Sequence, residues 1–230
     1  MSVITVSEAG RVLGISRTAV RRLIERDRLT VTGRSGKLLL LDEQQVRALA
    51  ETGRRRGRPW AGATAWAALC LLSGQRADWL NPDARSRLRA KLRRYTVEDV
   101  HQLARHRATV SRWIAPEQAR DALPDLLTPT GDTALADPAI AADLDLEAGP
   151  SAVIDGYTTP GGATDLADGL DLTATAKGGV ILRDPPLQAP FAAGHTPAAA
   201  VTLDLMDYPN AHLAAAGADA LDRMLSETTD

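Results

Sequence analysis

The sequence is poor in cysteine, lysine and aromatic residues. Cys70 is its one cysteine, so no disulfide can form within a monomer, and a reducing compartment is the expected setting. One Phe and four Trp leave the cores to be built mainly from Leu, Ala, Val and Ile. The longest apolar run, residues 65–72, is far too short to span a bilayer. The opening MSVITVSEAG lacks the basic-then-apolar order of a secretory leader. A soluble cytoplasmic protein with no membrane partner is expected.

Catalytic patterns are also missing. Thr158-Thr159-Pro160-Gly161-Gly162-Ala163-Thr164 contains glycine but lacks the Gly-Lys-Ser/Thr ending of a phosphate loop. No Gly-x-Ser-x-Gly, His-x-x-x-His or paired-cysteine pattern occurs. His101 and His106 are five apart, off one helix face, and read as surface or packing residues. His195 and His212 have no recognisable partner, and the aspartates are scattered. No catalytic residue, metal site or cofactor is expected.

What is present is charge, and it is divided. Residues 1–121 carry 24 Arg/Lys against 12 Asp/Glu, and residues 122–230 carry 3 against 17. The net charge of −2 hides both. A positive half that is mostly Arg is the footprint of a polyanion binder, because Arg forks match phosphates and guanine edges. The acidic half cannot lie on DNA and is expected to bind a partner or sense a signal.

Residues 5–50 give the most specific pattern. Thr5 or Ser7 can cap a first helix with Glu8 in its first turn, and Val6, Ala9, Val12 and Leu13 form its apolar stripe. Gly14 supplies a tight turn, Ile15 packs under it, and Ser16 caps a second helix over 17–26. Val20, Leu23 and Ile24 face inward there, leaving Arg17, Thr18, Arg21 and Arg22 outside. Residues 29–31 and 37–41 read as strands, with Gly33-Arg34-Ser35-Gly36 as the hairpin tip. Asp42 caps a third helix through Ala50.

VSEAGRVLGISRTAVRRLIERDRL followed by GKLLLLDEQQVRAL resembles the winged helix-turn-helix of excisionases and MerR-type regulators. The resemblance implies that the second helix enters the major groove and the hairpin touches the flanking backbone. It makes Ser16, Arg17, Thr18, Arg21 and Arg22 the candidate groove contacts, and Arg34, Ser35 and Lys37 the candidate wing contacts, on double-stranded operator DNA.

Arg54-Arg55-Arg56-Gly57-Arg58-Pro59 follows, with Pro59 biasing Arg58 away from helix. Its Gly-Arg-Pro core resembles an AT-hook, so Arg54, Arg55, Arg56 and Arg58 join the DNA-binding candidates. Minor-groove insertion, backbone contact and a plain charged linker remain open. Beyond it, residues 63–73 read as a buried helix, and Pro82 after Asn81 opens a basic helix to Arg94. That basic helix either extends the DNA footprint or is a solvated face. Thr96 caps a further helix, residues 107–115 read as a strand, and Pro116 opens a short helix.

In the acidic half, residues 137–144 read as a short helix. Residues 152–157, 172–176, 180–183 and 199–205 read as strands, Lys177-Gly178-Gly179 as a hairpin turn between two of them, and 209–225 as a closing helix. The expected fold class is α+β, with a winged helix-turn-helix (1–52), an Arg-rich linker (53–62), a helical basic region (63–123) and a small acidic α+β domain (124–230).

The helix-turn-helix, RPWAGATAWAALCLLSG, VIDGYTT, GGVILRD and VTLDLMDYPNAHLAAAGADALDRML together resemble actinobacterial antitoxin-repressors of the AbiEi type. That resemblance implies an autorepressor whose C-terminal domain meets a cognate toxin. The other readings are a one-component regulator with a ligand-sensing C-terminal domain, or an excisionase or architectural DNA-bending protein. Oligomeric state is left open.

Overall fold

The computed structural model describes residues 3–13, 16–25, 28–36, 38–53 and 58–228, with the side chains of 19, 35 and 51–53 outside that description. It is mixed α+β and divides into two compact units, residues 1–56 and 57–230.

In the first unit, strand β1 (Val3–Thr5) leads into helix α1 (Val6–Leu13). Thr5 caps α1. Its hydroxyl accepts from the Glu8 amide at 3.3 Å, and the Glu8 carboxylate accepts from the Thr5 amide at 2.7 Å. These bonds, the backbone one first, hold the Glu8 carboxyl below the usual carboxylate range. Helix α2 (Arg17–Glu25), strands β2 (Val31–Ser35) and β3 (Leu38–Asp42) and helix α3 (Glu43–Gly53) complete the unit. Asp42 caps α3 as expected, accepting from the Gln44 amide at 2.8 Å. The antiparallel sheet runs β1-β3-β2, and Ala9, Val20, Leu29, Leu41 and Val46 form the core.

Three expectations for this unit change. Strand β1 was not foreseen. Val12 points to solvent, and Gly10 takes the inward place beside Ala9, because positions four apart share a face. Arg34 and Ser35 lie within β2 and not at the hairpin tip, because a bulge between Val31 and Gly33 advances the register. The turn residues Gly14 and Ile15 lie outside the described residues.

In the second unit, helix α4 (Gly62–Leu72) is buried on every side over residues 65–70. Helix α5 (Pro82–Leu92) starts at Pro82, with the Asn81 side chain accepting from the Ala84 amide at 2.8 Å. Helix α6 (Val97–Leu103) opens on a Thr96/Asp99 capping box. Strand β4 (Thr109–Ile114), helix α7 (Glu117–Leu126), strand β5 (Thr128–Pro129), a 3-10 turn (Gly131–Ala136) and helix α8 (Pro138–Asp143) follow. Then come β6 (Ile154–Tyr157), α9 (Ala163–Gly169), β7 (Thr173–Ala174), β8 (Val180–Asp184), α10 (Ala198–Met206) and α11 (Ala211–Glu227).

The 5-stranded sheet has the order β5-β6-β8-β4-β7, with β6 and β8 parallel and the other pairs antiparallel. Leu123, Leu127, Ala163 and Ala167 pack with Val180 and Leu182. On the opposite face, Trp66, Tyr157 and Phe191 form a cluster with ring centres 4.8–5.0 Å apart. These three are the buried aromatics; Trp60, Trp79, Tyr95, Trp113 and Tyr208 are half-buried.

The boundary expected near residue 123 does not appear. Strand β4 from the expected helical region pairs along its length with β8 from the expected acidic domain, and α4 shares a core with α10. A split there would strip both of their apolar cover. Residues 199–205 are not a strand but the interior of α10, wholly buried. From Val201 to Leu205 the run alternates apolar and polar like a half-buried strand; here Pro197 precedes a helix that three alanines open, and Thr202 and Asp204 are buried in it with the rest. Gly217 of α11 lets α10 approach, since a Cβ there would lie 2.5 Å from the Thr202 carbonyl. The Lys177-Gly178-Gly179 hairpin is also absent. β7 and β8 lie on either side of β4, so the chain crosses the end of β4, where a Cβ on Gly178 would strike the Trp113 backbone at 2.0 Å.

Candidate nucleic-acid interface

Helix α2 shows how the first unit presents its arginines. Val20 is fully buried, and Leu23 and Ile24 are half-buried beside it. That fixes the rotation of the helix and turns Arg17, Thr18, Arg21 and Arg22 to solvent on the opposite arc. Ser16 begins the helix, its carbonyl accepting from the Val20 amide at 3.0 Å. Arg17, Arg21 and Arg22 have no hydrogen-bond or ion-pair partner among the described residues, whereas Arg47 of α3 is held by Glu43 at 2.6 Å.

Local energetics run against this arrangement. Arg17 sits in the first turn, where the helix dipole disfavours a cation, and α2 has no acid there. Arg17 and Arg21 are a like-charged i,i+4 pair. Places where a sequence breaks a local rule are expected at functional sites.

Arg17, Thr18 and Arg21 border a depression of about 270 Å³ with Val6, Ser7, Leu38 and Leu39. Leu38 is 55 % exposed at its rim. Arg34 is exposed on β2 opposite Leu39. The Ser35 side chain and Lys37, Arg54, Arg55 and Arg56 lie outside the described residues. Arg58 is exposed at the start of the second unit.

Sequence reasoning missed a second assembly, inside residues 57–230. Asp204 of α10 is fully buried. One of its oxygens receives Arg107 Nε at 3.0 Å and Arg183 Nη1 at 2.8 Å, and the other receives the Thr130 and Tyr157 hydroxyls at 2.6 and 2.8 Å. Asp155 of β6, also fully buried, takes the Arg183 fork at 2.7 and 2.9 Å and the Tyr208 hydroxyl at 2.8 Å. Asp207 accepts from Arg107 at 2.6 Å and meets His101 Nε2 at 2.8 Å.

Burial dominates the electrostatics. It pushes the Tyr157 and Tyr208 phenols well above their ordinary range, with the Asp204 and Asp155 charges adding to it. Desolvation pulls the Arg107 and Arg183 guanidiniums down, but Asp204 and its neighbours more than offset it. Asp207 is held down at about 2; burial alone would raise it, and the His101 and Arg107 bonds outweigh that.

No buried side-chain nitrogen or oxygen among the described residues lacks a partner, and none of the three carboxylates lines a cavity described here. No group of His, Cys, Asp and Glu among the described residues is arranged to hold a metal ion. The signal available in the sequence was a charge inside an apolar strand: Asp155 in Ile154–Tyr157 and Arg183 in Val180–Asp184.

No family model, curated protein or solved structure matches this chain. Among the described residues, no helix is long and apolar enough to cross a membrane.

Proposed function

We propose that the chain is a sequence-specific DNA-binding transcriptional regulator whose first unit works as a winged helix-turn-helix. Helix α2 enters the major groove, with Arg17, Thr18, Arg21 and Arg22 on the groove side, and the β2–β3 hairpin with Arg34 serves as the wing against backbone phosphates. The observation that carries this reading is the exposed arc of α2: cations without partners among the described residues, turned outward by the buried Val20, with Arg17 set against the helix dipole. The first unit carries 12 Arg/Lys against 6 Asp/Glu, which supports it further.

The reading extends to an autorepressor that doubles as an antitoxin, with residues 57–230 meeting a toxin; that part rests on the sequence resemblance. It is non-catalytic, and the buried, fully partnered state of Asp155 and Asp204 supports this. A ligand-sensing regulator is the second reading. A cleft of about 350 Å³ among α8, α10 and α11 favours it, with apolar Ile140, Leu144, Val201 and Met224 inside and Asp137, Asp143 and His195 at its rim.

Footprinting on the gene's own upstream region tests the main reading. A protected site that Arg17→Ala with Arg21→Ala abolishes is expected. Protection unchanged by that double substitution would remove α2 from the groove.

A further inference from the structure

We infer that the exposed face of α5 is a second, sequence-independent binding surface for the phosphate backbone of duplex DNA, an inference that rests on the DNA-binding reading of the chain. Leu88 and Leu92 anchor α5 in the core of the second unit, and Asn81 with Pro82 fixes its start. The anchoring turns Arg87, Arg89 and Lys91 outward, and Arg94 follows in the turn after the helix. None of the four has a carboxylate partner among the described residues.

The second unit does pair other exposed arginines. Asp78 takes Arg76 at 2.9 Å and Arg85 at 2.8 Å, and Asp145 takes Arg223 at 3.3 Å. Arg93, at the end of α5, donates to the Thr228 carbonyl at 3.1 Å. So the neighbouring cations are tied down and these four are not.

Their spacing is unfavourable for the helix itself. Arg85/Arg89, Arg87/Lys91 and Arg89/Arg93 are like-charged i,i+4 pairs, and Asp83 is the one acid in α5. Cations near the C-terminus favour the helix dipole, which accounts for Arg89 and Lys91 but not for Arg87. The second unit as a whole carries 15 Arg/Lys against 23 Asp/Glu, so α5 is a basic island on an acidic body.

The chemistry of the face selects the partner. It carries no exposed large apolar side chain, so it offers nothing to insert into a bilayer or to anchor a protein hot spot. Four helical residues advance about 6 Å, so Arg87 and Lys91 form a rigid ladder for neighbouring phosphates. Contacts of that kind neutralise charge without reading sequence.

The test uses the full chain on an operator duplex and an unrelated duplex across a salt series. Arg87→Gln, Lys91→Gln and Arg94→Gln together are expected to weaken both complexes in parallel. The slope of log K against log salt should fall by about 0.9 per lost contact, up to about 2.7. Arg76→Gln with Arg223→Gln, which removes cations that already have carboxylates, should change the slope by less than one contact. Arg17→Ala with Arg21→Ala should instead erase the preference for operator and keep the α5 contribution. If that double variant keeps operator preference while the α5 variant still loses affinity, the α2 reading fails and the α5 inference stands. An unchanged slope in the α5 variant overturns the inference, as does the absence of any duplex binding by the wild type. Equally tight, equally variant-sensitive binding to polyglutamate or phosphatidylserine vesicles also overturns it.

Discussion

The two units use arginine in opposite ways. In the first, Arg17, Arg21 and Arg22 stand in water without partners among the described residues, and Arg17 does so at the end of α2 where the helix dipole disfavours a cation. In the second, Arg107 and Arg183 are 4 % and 3 % exposed, and Asp155, Asp204 and Asp207 surround them. A guanidinium sealed from water must be satisfied by the protein, and once satisfied it has nothing left to offer a ligand. A guanidinium left in water costs little to keep and can exchange its hydration for a phosphate or a base edge. Burial, not residue type, separates the structural arginines from the candidate functional ones.

The largest effect expected is in the buried cluster. Asp204→Ala leaves Arg107 and Arg183 short of a shared carboxylate and two hydroxyls without their acceptor. It should destabilise the second unit by about 3–5 kcal/mol. All four tryptophans, Trp60, Trp66, Trp79 and Trp113, lie in this unit, so urea unfolding followed by tryptophan fluorescence reads it alone. Replacing Arg107 by Met together with Asp204 by Leu should recover only part of the loss: Arg183 keeps its fork on Asp155, while the Thr130 and Tyr157 hydroxyls stay without their acceptor. If Asp204→Ala unfolds at the wild-type urea concentration, the cluster contributes no stability and the contrast between the units collapses.

The next effect is in the exposed arginines and carries two signs. Arg17→Ala should cost about 1–3 kcal/mol of operator affinity through a lost base contact. It should also stabilise the first unit by about 0.3–1 kcal/mol, because it removes a cation from the wrong end of α2. Titration against operator and a melt followed by circular dichroism measure the two separately. A loss of affinity accompanied by a loss of stability would make Arg17 a structural residue.

How far the sequence was legible follows the same division. Caps are local chemistry, so Thr5, Asp42, Asn81–Pro82 and Thr96 mark helix starts that the structure keeps. The exposed arc of α2 was legible because Val20, Leu23 and Ile24 fix its rotation within one helix. Pairings across the chain were not. The run at 199–205 alternates apolar and polar from Val201 to Leu205, a strand period that misleads because Thr202 and Asp204 are buried within α10, and the place of β4 between β7 and β8 depends on residues some 70 positions away. The ionic cluster joins side chains from Arg107 to Asp207, so no local window contains it.

A cap on α1 sharpens the claim that the units are separate. Thr5→Ala removes a hydroxyl that accepts from the Glu8 amide and donates to the Glu8 carboxylate at 2.8 Å. It should destabilise the first unit by about 1 kcal/mol. Circular dichroism should show an earlier melt of that unit, while the tryptophan transition stays in place. Movement of the tryptophan transition would show that the two units unfold together.

The smallest effect expected is a pH dependence from the rim of the cluster. Asp207 has a folded pKa of about 2, below an unfolded value near ~3.9. A depressed carboxyl stabilises the fold where it is ionised, so its contribution is complete above about pH 4–5 and disappears as pH falls toward 2. The side chain is 39 % exposed, so solvent screening keeps that contribution small beside the loss expected for Asp204→Ala. Asp207→Asn keeps the shape and removes the charge. It should be slightly less stable than wild type at pH 6, with the gap closing between pH 4 and pH 2 in urea unfolding read by tryptophan fluorescence. A gap that stays constant across that range would mean that Asp207 acts through its shape and hydrogen bonds alone. The charge balance of the cluster would then be set entirely by the buried Asp155 and Asp204.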